Sequence, residues 1–434
     1  MTIGTRRVDP QFIGAIFVVL FLGAAFALTK TQPASWNDIA RVATIESLAE
    51  RGTWAIDDSP WVDETKDKIF LSGKFYSDKM PLFSLLGAGV YAVFHRAWGA
   101  SLAPDCAACA YPWVTRLLVG VPAVLLLWLF WDFARRQNVP LWSALAGALA
   151  LGIGTMVFPY ALVLNHHVPA AACLFAGFYI LATRSTDSRG WLFAAGLLAA
   201  LAISFDALAW LTAAALFGIA FVRHRAGFIF FAAGAVIPLA TTAVLDWQIA
   251  QTIIPAYMIT NGYNYPGSAF PATVGGNGTP DDYAAYAFRM FLGGRGLFAY
   301  NPLLLFALVG VIVVALNRQH ALRIEALFIA LCFVALAVYL ALFTGNLGGT
   351  AYGERWYVAV IPMLFAFIFF VPPLNVTTWK NVAWILFLPL LALSIFSTLQ
   401  GAQAPWLGTP PPLQMTRDVS RFPILGFKWN VKFP

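Results

Sequence analysis

Charged side chains are scarce in this 434-residue chain and make up only 11% of it. Soluble globular proteins carry about 25% Asp, Glu, Lys and Arg. Hydrophobic residues account for 60% of the chain, and the mean hydropathy is +0.74. The composition therefore argues against a soluble domain and predicts a polytopic membrane protein.

Two sequence patterns are also missing. The apolar runs lack the polar/apolar alternation of a membrane barrel, and their lengths are typical of helices. No glycine-rich strand–turn–helix segment is visible, which argues against a nucleotide-binding site. The net charge of +7 comes mostly from short loops, where Lys and Arg set membrane orientation, so it does not indicate nucleic-acid binding.

Cysteine is rare, with four residues in the chain. Cys173 and Cys332 fall in apolar runs and are interpreted as packing residues. Cys106 and Cys109 form a C-x-x-C pair, which could be a disulfide if its loop faces an oxidising space. A zinc site would need a second pair of ligands, and none is near in sequence.

The apolar runs predict an all-α bundle of about eleven transmembrane helices that forms a single domain over residues 1–434. The first run is interpreted as an uncleaved helix, because it is long and no small-residue cleavage site precedes the polar loop. The predicted spans are residues 11–30, 112–133, 141–160, 168–184, 190–205, 208–222, 227–246, 302–316, 324–344, 356–372 and 380–398.

The apolar segment 80–97 decides the predicted topology. If it crossed the membrane, Arg135 and Arg136 would lie outside. If it lies on the outer surface as a juxtamembrane helix, every inner loop is basic, as the positive-inside rule requires. We therefore predict an inner-membrane (plasma-membrane) protein whose amino terminus lies inside and whose carboxyl terminus lies outside. The outer face then holds residues 31–111, 247–301, 345–355 and the tail 401–434.

The first outer loop contains the densest cluster of ionisable residues: nine of the 20 acidic residues lie between positions 38 and 79. Asn37 and Asp38 follow the first span, so the Asp38 carboxylate is expected near the membrane surface. Two interpretations stay open. Asp38 could carry out chemistry, or Ser35 and Asp38 could form the S-x-x-D capping box of a helix.

Lys79 begins the predicted juxtamembrane helix, just before Pro81. A lysine at such a position can reach a lipid phosphate, and the amides of a helix amino terminus add donors for an anion. The alternative is an ordinary lysine that only extends to the membrane interface.

His166 and His167 follow an apolar run, on the same predicted face as the first loop. Adjacent histidines point in different directions on a helix, and no carboxylate is close in sequence. Hydrogen bonding to a polar ligand is therefore favoured over metal binding, with a polar helix cap as the alternative. Asp206, between two apolar runs, is interpreted as an outer turn residue rather than a buried ionisable site.

Arg295 and Arg355 each lie at the outer edge of a predicted span, and arginine suits bidentate contact with phosphate. A local contact between Glu354 and Arg355, or anchoring at the interface, would explain these positions equally well.

These features together resemble the GT-C glycosyltransferases, in particular the branch with the lipid A aminoarabinose transferase and the protein O-mannosyltransferases. The resemblance covers roughly residues 31–365. It is carried by Asn37-Asp38, an I-x-S-L-A-E-R-G-x-W helix and G-K-x-Y-x-D-K-x-P-L in the first loop, then by R-G-L-F-x-Y-N-P from Arg295 and Y-G-x-R from Tyr352.

The resemblance implies a catalytic carboxylate at Asp38, a donor-phosphate contact at Lys79 and, by position, a second one at Arg355. Arg295 is predicted as a further phosphate contact. The predicted substrate contacts are Asn37, Tyr76, His166, His167 and Tyr352. Many relatives have an acidic pair where this chain has Asn37-Asp38. The single carboxylate weakens the case for a divalent metal, and no cofactor is predicted.

The predicted function is transfer of a sugar from a polyprenyl-phosphate-linked donor to a hydroxyl of a lipid, glycan or protein acceptor, with inversion. A transporter or flippase for a lipid-linked or small solute is the alternative, and a non-catalytic scaffold is a third possibility. A transporter is expected to carry charges at the membrane midplane or to contain inverted repeats. The polar groups of this chain collect on one face instead, which favours the enzyme.

Overall fold

The structure is a computed structural model that describes residues 10–184, 188–270, 282–293, 295–344, 346–371 and 382–406. Within these residues the chain is helical apart from its loops and one two-stranded antiparallel sheet, which confirms the predicted all-α class. The helices are α1 (Pro10–Leu28), α2 (Trp36–Glu46), α3 (Pro81–Trp98), α4 (Tyr111–Thr115), α5 (Val121–Arg136), α6 (Leu141–Ile153), α7 (Val157–Ala161), α8 (His167–Thr183), α9 (Arg189–Phe205), α10 (Trp210–Arg223), α11 (Phe228–Ala250), α12 (Tyr283–Phe291), α13 (Leu297–Tyr300), α14 (Leu304–Leu316), α15 (Arg323–Phe343), α16 (Ile361–Phe365) and α17 (Val382–Gln403).

Each of the eleven predicted spans contains one or two of these helices. Among the described residues, four helical segments are long and apolar enough to cross a membrane by themselves: Tyr111–Arg136, Arg225–Ala250, Arg323–Phe343 and Ile385–Gln403. The other apolar helices are 10–17 residues long. The number of eleven spans therefore stays a prediction.

Helices α9 and α11 pack against each other along much of their length. Glycine is required at two points of this contact. A Cβ atom added at Gly196 would lie 1.8 Å from the carbonyl oxygen of Phe231, and one added at Gly234 would lie 2.0 Å from that of Phe193. Small residues let helix backbones approach closely in membrane proteins. This contact fixes the end of α9, which Asp206 follows directly.

The strands β1 (Lys68–Leu71) and β2 (Lys74–Ser77) form a hairpin in the first loop. The turn between them places Ser72 and Gly73 at φ 50° and 84°, a left-handed conformation that glycine adopts without strain. The hairpin fixes the chain that leads from β2 into α3.

Three polar segments predicted for the outer face contact one another. The hydroxyl of Tyr263, from the segment 247–301, donates to Asp78 Oδ2 at 3.1 Å. The hydroxyl of Tyr286 donates to the carbonyl oxygen of Asn346 at 2.8 Å. The first loop, the second loop and the segment after α15 therefore form one continuous polar region.

Two predicted segments lie partly outside the described residues. Residues 271–281 belong to the predicted second outer loop, and residues 407–434 make up most of the predicted outer tail. The described part of the second loop contains short helical turns and α12.

The predicted juxtamembrane helix 80–97 corresponds to α3. Proline occupies the first position of α3, and Gly99 ends the helix at φ 62°. Both residues suit these positions, because proline needs no amide donor there and glycine adopts the left-handed conformation freely. Helix α3 packs against α2, α9 and α11. Its position relative to the bilayer stays a prediction.

Cys106 and Cys109 form a disulfide, which decides between the alternatives for the C-x-x-C pair. The disulfide encloses a short helical turn, Ala107–Cys109, directly before α4. Cys173 and Cys332 are free, and Cys332 is buried.

Candidate active site

Asp38 lies in the first turn of α2 and is fully buried. Its Oδ1 accepts a hydrogen bond from the Ser35 amide at 2.8 Å, and its Oδ2 accepts one from the Ala34 amide at 3.2 Å. The Ser35 side chain completes the predicted capping box. Burial raises the pKa of Asp38 to about 6, even though these hydrogen bonds favour the charged form. The helix cap is thus present, and the same carboxylate has the raised pKa expected of a general base.

Tyr111 connects Asp38 to the loop that carries the two histidines. Its hydroxyl donates to Asp38 Oδ2 at 3.0 Å and accepts a hydrogen bond from the Leu164 amide at 3.1 Å. Tyr111 is the first residue of α4 and follows the disulfide loop by two residues. The start of α4 therefore connects the Asp38 carboxylate to the loop that carries His166 and His167.

Arg41 is a site residue that the sequence analysis missed. It lies one helical turn after Asn37, and its guanidinium is buried. Nη1 donates to the backbone oxygen of Asn37 at 2.6 Å and to its side-chain oxygen, while Nη2 contacts Nδ1 of His166. No carboxylate among the described residues forms an ion pair with Arg41.

Arg355 lies within electrostatic reach of Arg41. Burial lowers the pKa of Arg41 to about 10, and the positive charge of Arg355 acts in the same direction, whereas Asp78 and Asp67 oppose it. The Arg355 guanidinium lies over the ring of Trp406, 5.5 Å from its centroid. Two cations that repel each other beside a buried carboxylate are a suitable setting for an anionic ligand.

Asp206 lies in the turn between α9 and α10, as predicted, but it is buried, so the preference against a buried ionisable site was wrong. Its Oδ2 lies 2.7 Å from Nδ1 of His167, and its Oδ1 lies 3.6 Å from Nε2 of His166. The histidine pair therefore has a carboxylate partner 39 residues away from His167. Only the packing of α9 beside α8 brings them together, so sequence spacing did not reveal this contact.

His166, His167 and Asp206 have side-chain ligand atoms within 4.8 Å of one another, a distance that could suit a metal ion. Their hydrogen bonds fit a polar network better. A guanidinium has no acceptor, so Nδ1 of His166 must be the bare nitrogen that accepts from Arg41, and the proton sits on Nε2. With Nδ1 used by Arg41 and Nε2 protonated, His166 has no free lone pair for a metal.

Lys79 forms ion pairs with two carboxylates of the first loop. Its Nζ lies 2.6 Å from Asp67 Oδ2 and 2.9 Å from Asp78 Oδ1. Burial raises the pKa of Asp78. Lys79 and Tyr76 also line a small pocket, together with Thr44, Trp54, Ser77, Pro81, Ser84 and Ile249. The structure thus brings Lys79 and Tyr76 together at the edge of the site.

Arg295 and Tyr352 contact residues other than Asp38. Nη1 of Arg295 donates to the carbonyl oxygen of Gly349. The ring of Tyr352 packs edge-on against Tyr300, and its hydroxyl shares a hydrogen bond with Ser397 at 2.8 Å. The contacts of Tyr352 are those of a packing residue.

Glu354 is fully buried, and neither carboxyl oxygen has a hydrogen-bond partner among the described residues. Burial raises its pKa to about 8, while the charges of Arg355 and Arg295 oppose this shift. The raised pKa favours the neutral form of Glu354, and Arg355 forms no ion pair with a carboxylate of the described residues.

Two solved structures of one protein are similar to this chain. ArnT from Cupriavidus metallidurans, in a crystal structure bound to undecaprenyl phosphate, superposes with a TM-score of 0.52 at 15% identity. The match covers 92% of this chain and 77% of that ArnT chain. The apo structure of the same ArnT gives a TM-score of 0.51 at 15% identity, with 91% and 76% covered.

The chain has the GT-C fold. The predicted resemblance is thereby confirmed at the level of the fold. An oligosaccharyltransferase from Archaeoglobus fulgidus in its apo form is also similar, with a TM-score of 0.49, 12% identity, and 92% and 57% of the two chains covered. No protein-family model matches the sequence, and no curated protein sequence matches it.

Within this GT-C fold, the predicted residues fall into three groups, and the contacts of Arg295 and Tyr352 described above define the third. Asn37, Asp38, His166 and His167 come together with Arg355 nearby. Lys79 and Tyr76 lie beside them at the pocket. The spacing of four residues between Asn37 and Arg41 places both side chains on one face of α2, but it does not reveal that Arg41 is buried.

Proposed function

We propose that this protein is a glycosyltransferase that moves a sugar from a polyprenyl-phosphate-linked donor to a hydroxyl of a lipid, glycan or protein acceptor. The observation that carries the proposal is that Arg41 lies within electrostatic reach of Arg355 and of the buried Asp38 carboxylate, while neither guanidinium forms an ion pair with a carboxylate of the described residues. The GT-C fold supports it, because ArnT with that fold has been crystallised with undecaprenyl phosphate.

Asp38 is the general base in this proposal. Its carboxylate takes the proton of the acceptor hydroxyl, and that oxygen forms a bond to the anomeric carbon of the sugar. The bond from that carbon to the phosphate oxygen breaks, and its electron pair leaves with the polyprenyl phosphate. Direct displacement inverts the configuration at the anomeric carbon.

Arg41 and Arg355 stabilise the negative charge that develops on the leaving phosphate, with Lys79 as a further contact. Charges held in place before the reaction stabilise a transition state without reorganisation, and burial strengthens them. Asn37 fixes Arg41 by two hydrogen bonds. Arg295 acts indirectly, because it donates to the backbone of the loop that carries Arg355 and so helps to hold that loop.

The site faces the outside of the inner membrane in this proposal. The disulfide between Cys106 and Cys109 supports an oxidising compartment for the first loop. A cysteine placed at Ala97, an exposed position near the end of α3, is expected to react with an impermeant thiol reagent added from outside only.

The test is a transfer assay on the purified full chain with radiolabelled polyprenyl-phosphate sugars. Asp38→Asn keeps the shape of the side chain and an oxygen that can accept the Ser35 amide, but it removes the base. We expect a loss of about 10³-fold or more in kcat with normal expression. Asp58→Asn, at an exposed position of the same loop, is the matched control.

Near-normal transfer by Asp38→Asn would refute the role of Asp38. Movement of the labelled lipid across the bilayer without transfer to any acceptor would favour the flippase alternative.

A further inference from the structure

Arg41 is held by few groups for a buried cation. Its hydrogen-bond acceptors are the two oxygens of Asn37 and Nδ1 of His166, and its Nε has no partner among the described residues. Burying a guanidinium is costly unless hydrogen bonds replace its water. Asn37 lies on the same helix, so His166 is the tertiary contact that fixes where the far end of Arg41 points.

His166 holds this contact in one tautomer. The guanidinium only donates, so Nδ1 of His166 accepts and the ring proton sits on Nε2. Nε2 faces Oδ1 of Asp206 at 3.6 Å. Burial, His167 and Arg41 lower the pKa of His166 well below its usual range, which agrees with a neutral ring.

Asp206 is fixed independently of His166. Its carboxylate accepts from Nδ1 of His167 at 2.7 Å and from the amide of Leu208 at 3.2 Å. A chain of contacts therefore runs from the end of α9, through Asp206 and His166, to the guanidinium on α2. An imidazole oriented by a carboxylate is a common way to fix a partner group in an active site.

We propose that His166, oriented by Asp206, is a positioning residue that aims the guanidinium of Arg41 at the leaving phosphate. This inference rests on the proposed function. It assigns His166 a role through Arg41 rather than a direct contact with substrate, and it assigns Asp206 a role that its position in the sequence does not suggest.

The test is a double-mutant cycle between His166 and Arg41, read as kcat, donor KM, binding of undecaprenyl phosphate and thermal unfolding of the full chain. His166→Ala is expected to lower kcat of the folded protein about 10²-fold, because a misplaced group costs about that much. It is also expected to lower the unfolding temperature, because the buried Arg41 loses an acceptor. His166→Asn places an amide oxygen near the position of Nδ1 and is expected to restore kcat to within about tenfold of wild type.

In the Arg41→Gln background, His166→Ala is expected to change kcat by less than about twofold, since residues that act as a unit are non-additive. An equal loss from His166→Ala in both backgrounds, or wild-type kcat in His166→Ala alone, would overturn the inference. His95→Ala, at a half-exposed histidine of α3, is the control.

The same measurements distinguish a failure of the proposed function from a failure of the positioning role. Wild type that neither binds undecaprenyl phosphate nor transfers sugar would refute the proposed function itself. If His166→Ala does not fold, the cycle is run with His166→Asn, and an Asn variant with lower kcat than Arg41→Gln would refute the positioning role.

Discussion

Two neighbouring clusters of the site each contain a cation, but different groups contact that cation. In the α2 cluster (Asn37, Asp38, Arg41 and His166), the arginine contacts an amide and an imidazole, and no described carboxylate forms an ion pair with it. In the hairpin cluster (Asp67, Asp78, Lys79 and Tyr263), the lysine has two carboxylates within 2.9 Å.

The difference indicates how each cation can meet a phosphate. Arg41 retains its charge in a buried setting, where electrostatic interactions are stronger than in water. Lys79 must exchange at least one carboxylate for the ligand, so much of its attraction is offset. We therefore expect the α2 cluster to contribute mainly to the chemical step and the hairpin cluster mainly to donor binding.

The largest expected effect comes from Arg41. Arg41→Gln should lower kcat about 10²- to 10³-fold, because it removes a fixed charge from the proposed site of the leaving phosphate. Steady-state kinetics with a polyprenyl-phosphate sugar measures this, with the exposed Arg96→Gln as control. A change confined to KM would remove the contrast between the two clusters.

The next effect is the pH dependence of kcat/KM that the titration of Asp38 causes. A general base must be ionised, so kcat/KM should fall about tenfold per pH unit below the Asp38 pKa of about 6 and level off above it. A profile from pH 4.5 to 8 measures this. Because the pKa of Asp78 is also raised, the profile is repeated in Asp78→Asn. A break that disappears in that variant would assign the titration to the hairpin cluster.

Lys79→Ala should have a smaller effect, a rise of about fivefold in donor KM with kcat nearly unchanged, because its ion pairs already offset its charge. Asp67→Asn should act in the opposite direction and lower donor KM, since it frees Lys79. Binding of undecaprenyl phosphate to both variants checks this pair. A loss of kcat in Lys79→Ala as large as that in Arg41→Gln would contradict the assignment.

The smallest effect on catalysis is expected from Gly196, far from both clusters. Gly196→Ala places a Cβ 1.8 Å from a backbone oxygen of α11, so the helices must separate at a cost of about 1–3 kcal/mol of unfolding free energy. Thermal unfolding measures this, and Gly190→Ala is the control because nothing lies within 4 Å of a Cβ there. Since α9 leads to Asp206, any change in activity should appear in kcat rather than in donor KM.

Local sequence patterns predicted the parts of the site that depend on neighbours along the chain. The S-x-x-D pattern at Ser35 and Asp38 predicted the capping box, and Pro81 predicted the start of α3. The apolar runs predicted the helices, because the period and length of such runs follow directly from burial in a bilayer.

The contacts between distant segments could not be predicted. The partnership of His167 with Asp206 depends on how α8 and α9 pack, and that of Tyr263 with Asp78 joins loops 185 residues apart. Arg41 was overlooked because nothing in its local sequence indicates that its guanidinium is buried. The burial of a charged residue is a property of tertiary structure, and local spacing does not report it.

The contact between Tyr263 and Asp78 also limits how this protein can be re-engineered. Tyr263, in the segment 247–301, covers a carboxylate of the first loop, and Tyr265 beside it donates to the backbone oxygen of Lys68 at 3.4 Å. A chimera that exchanges one loop alone would leave a buried Asp78 facing a foreign surface. The two loops therefore form one exchangeable module, and acceptor preference is expected to transfer only when both move together.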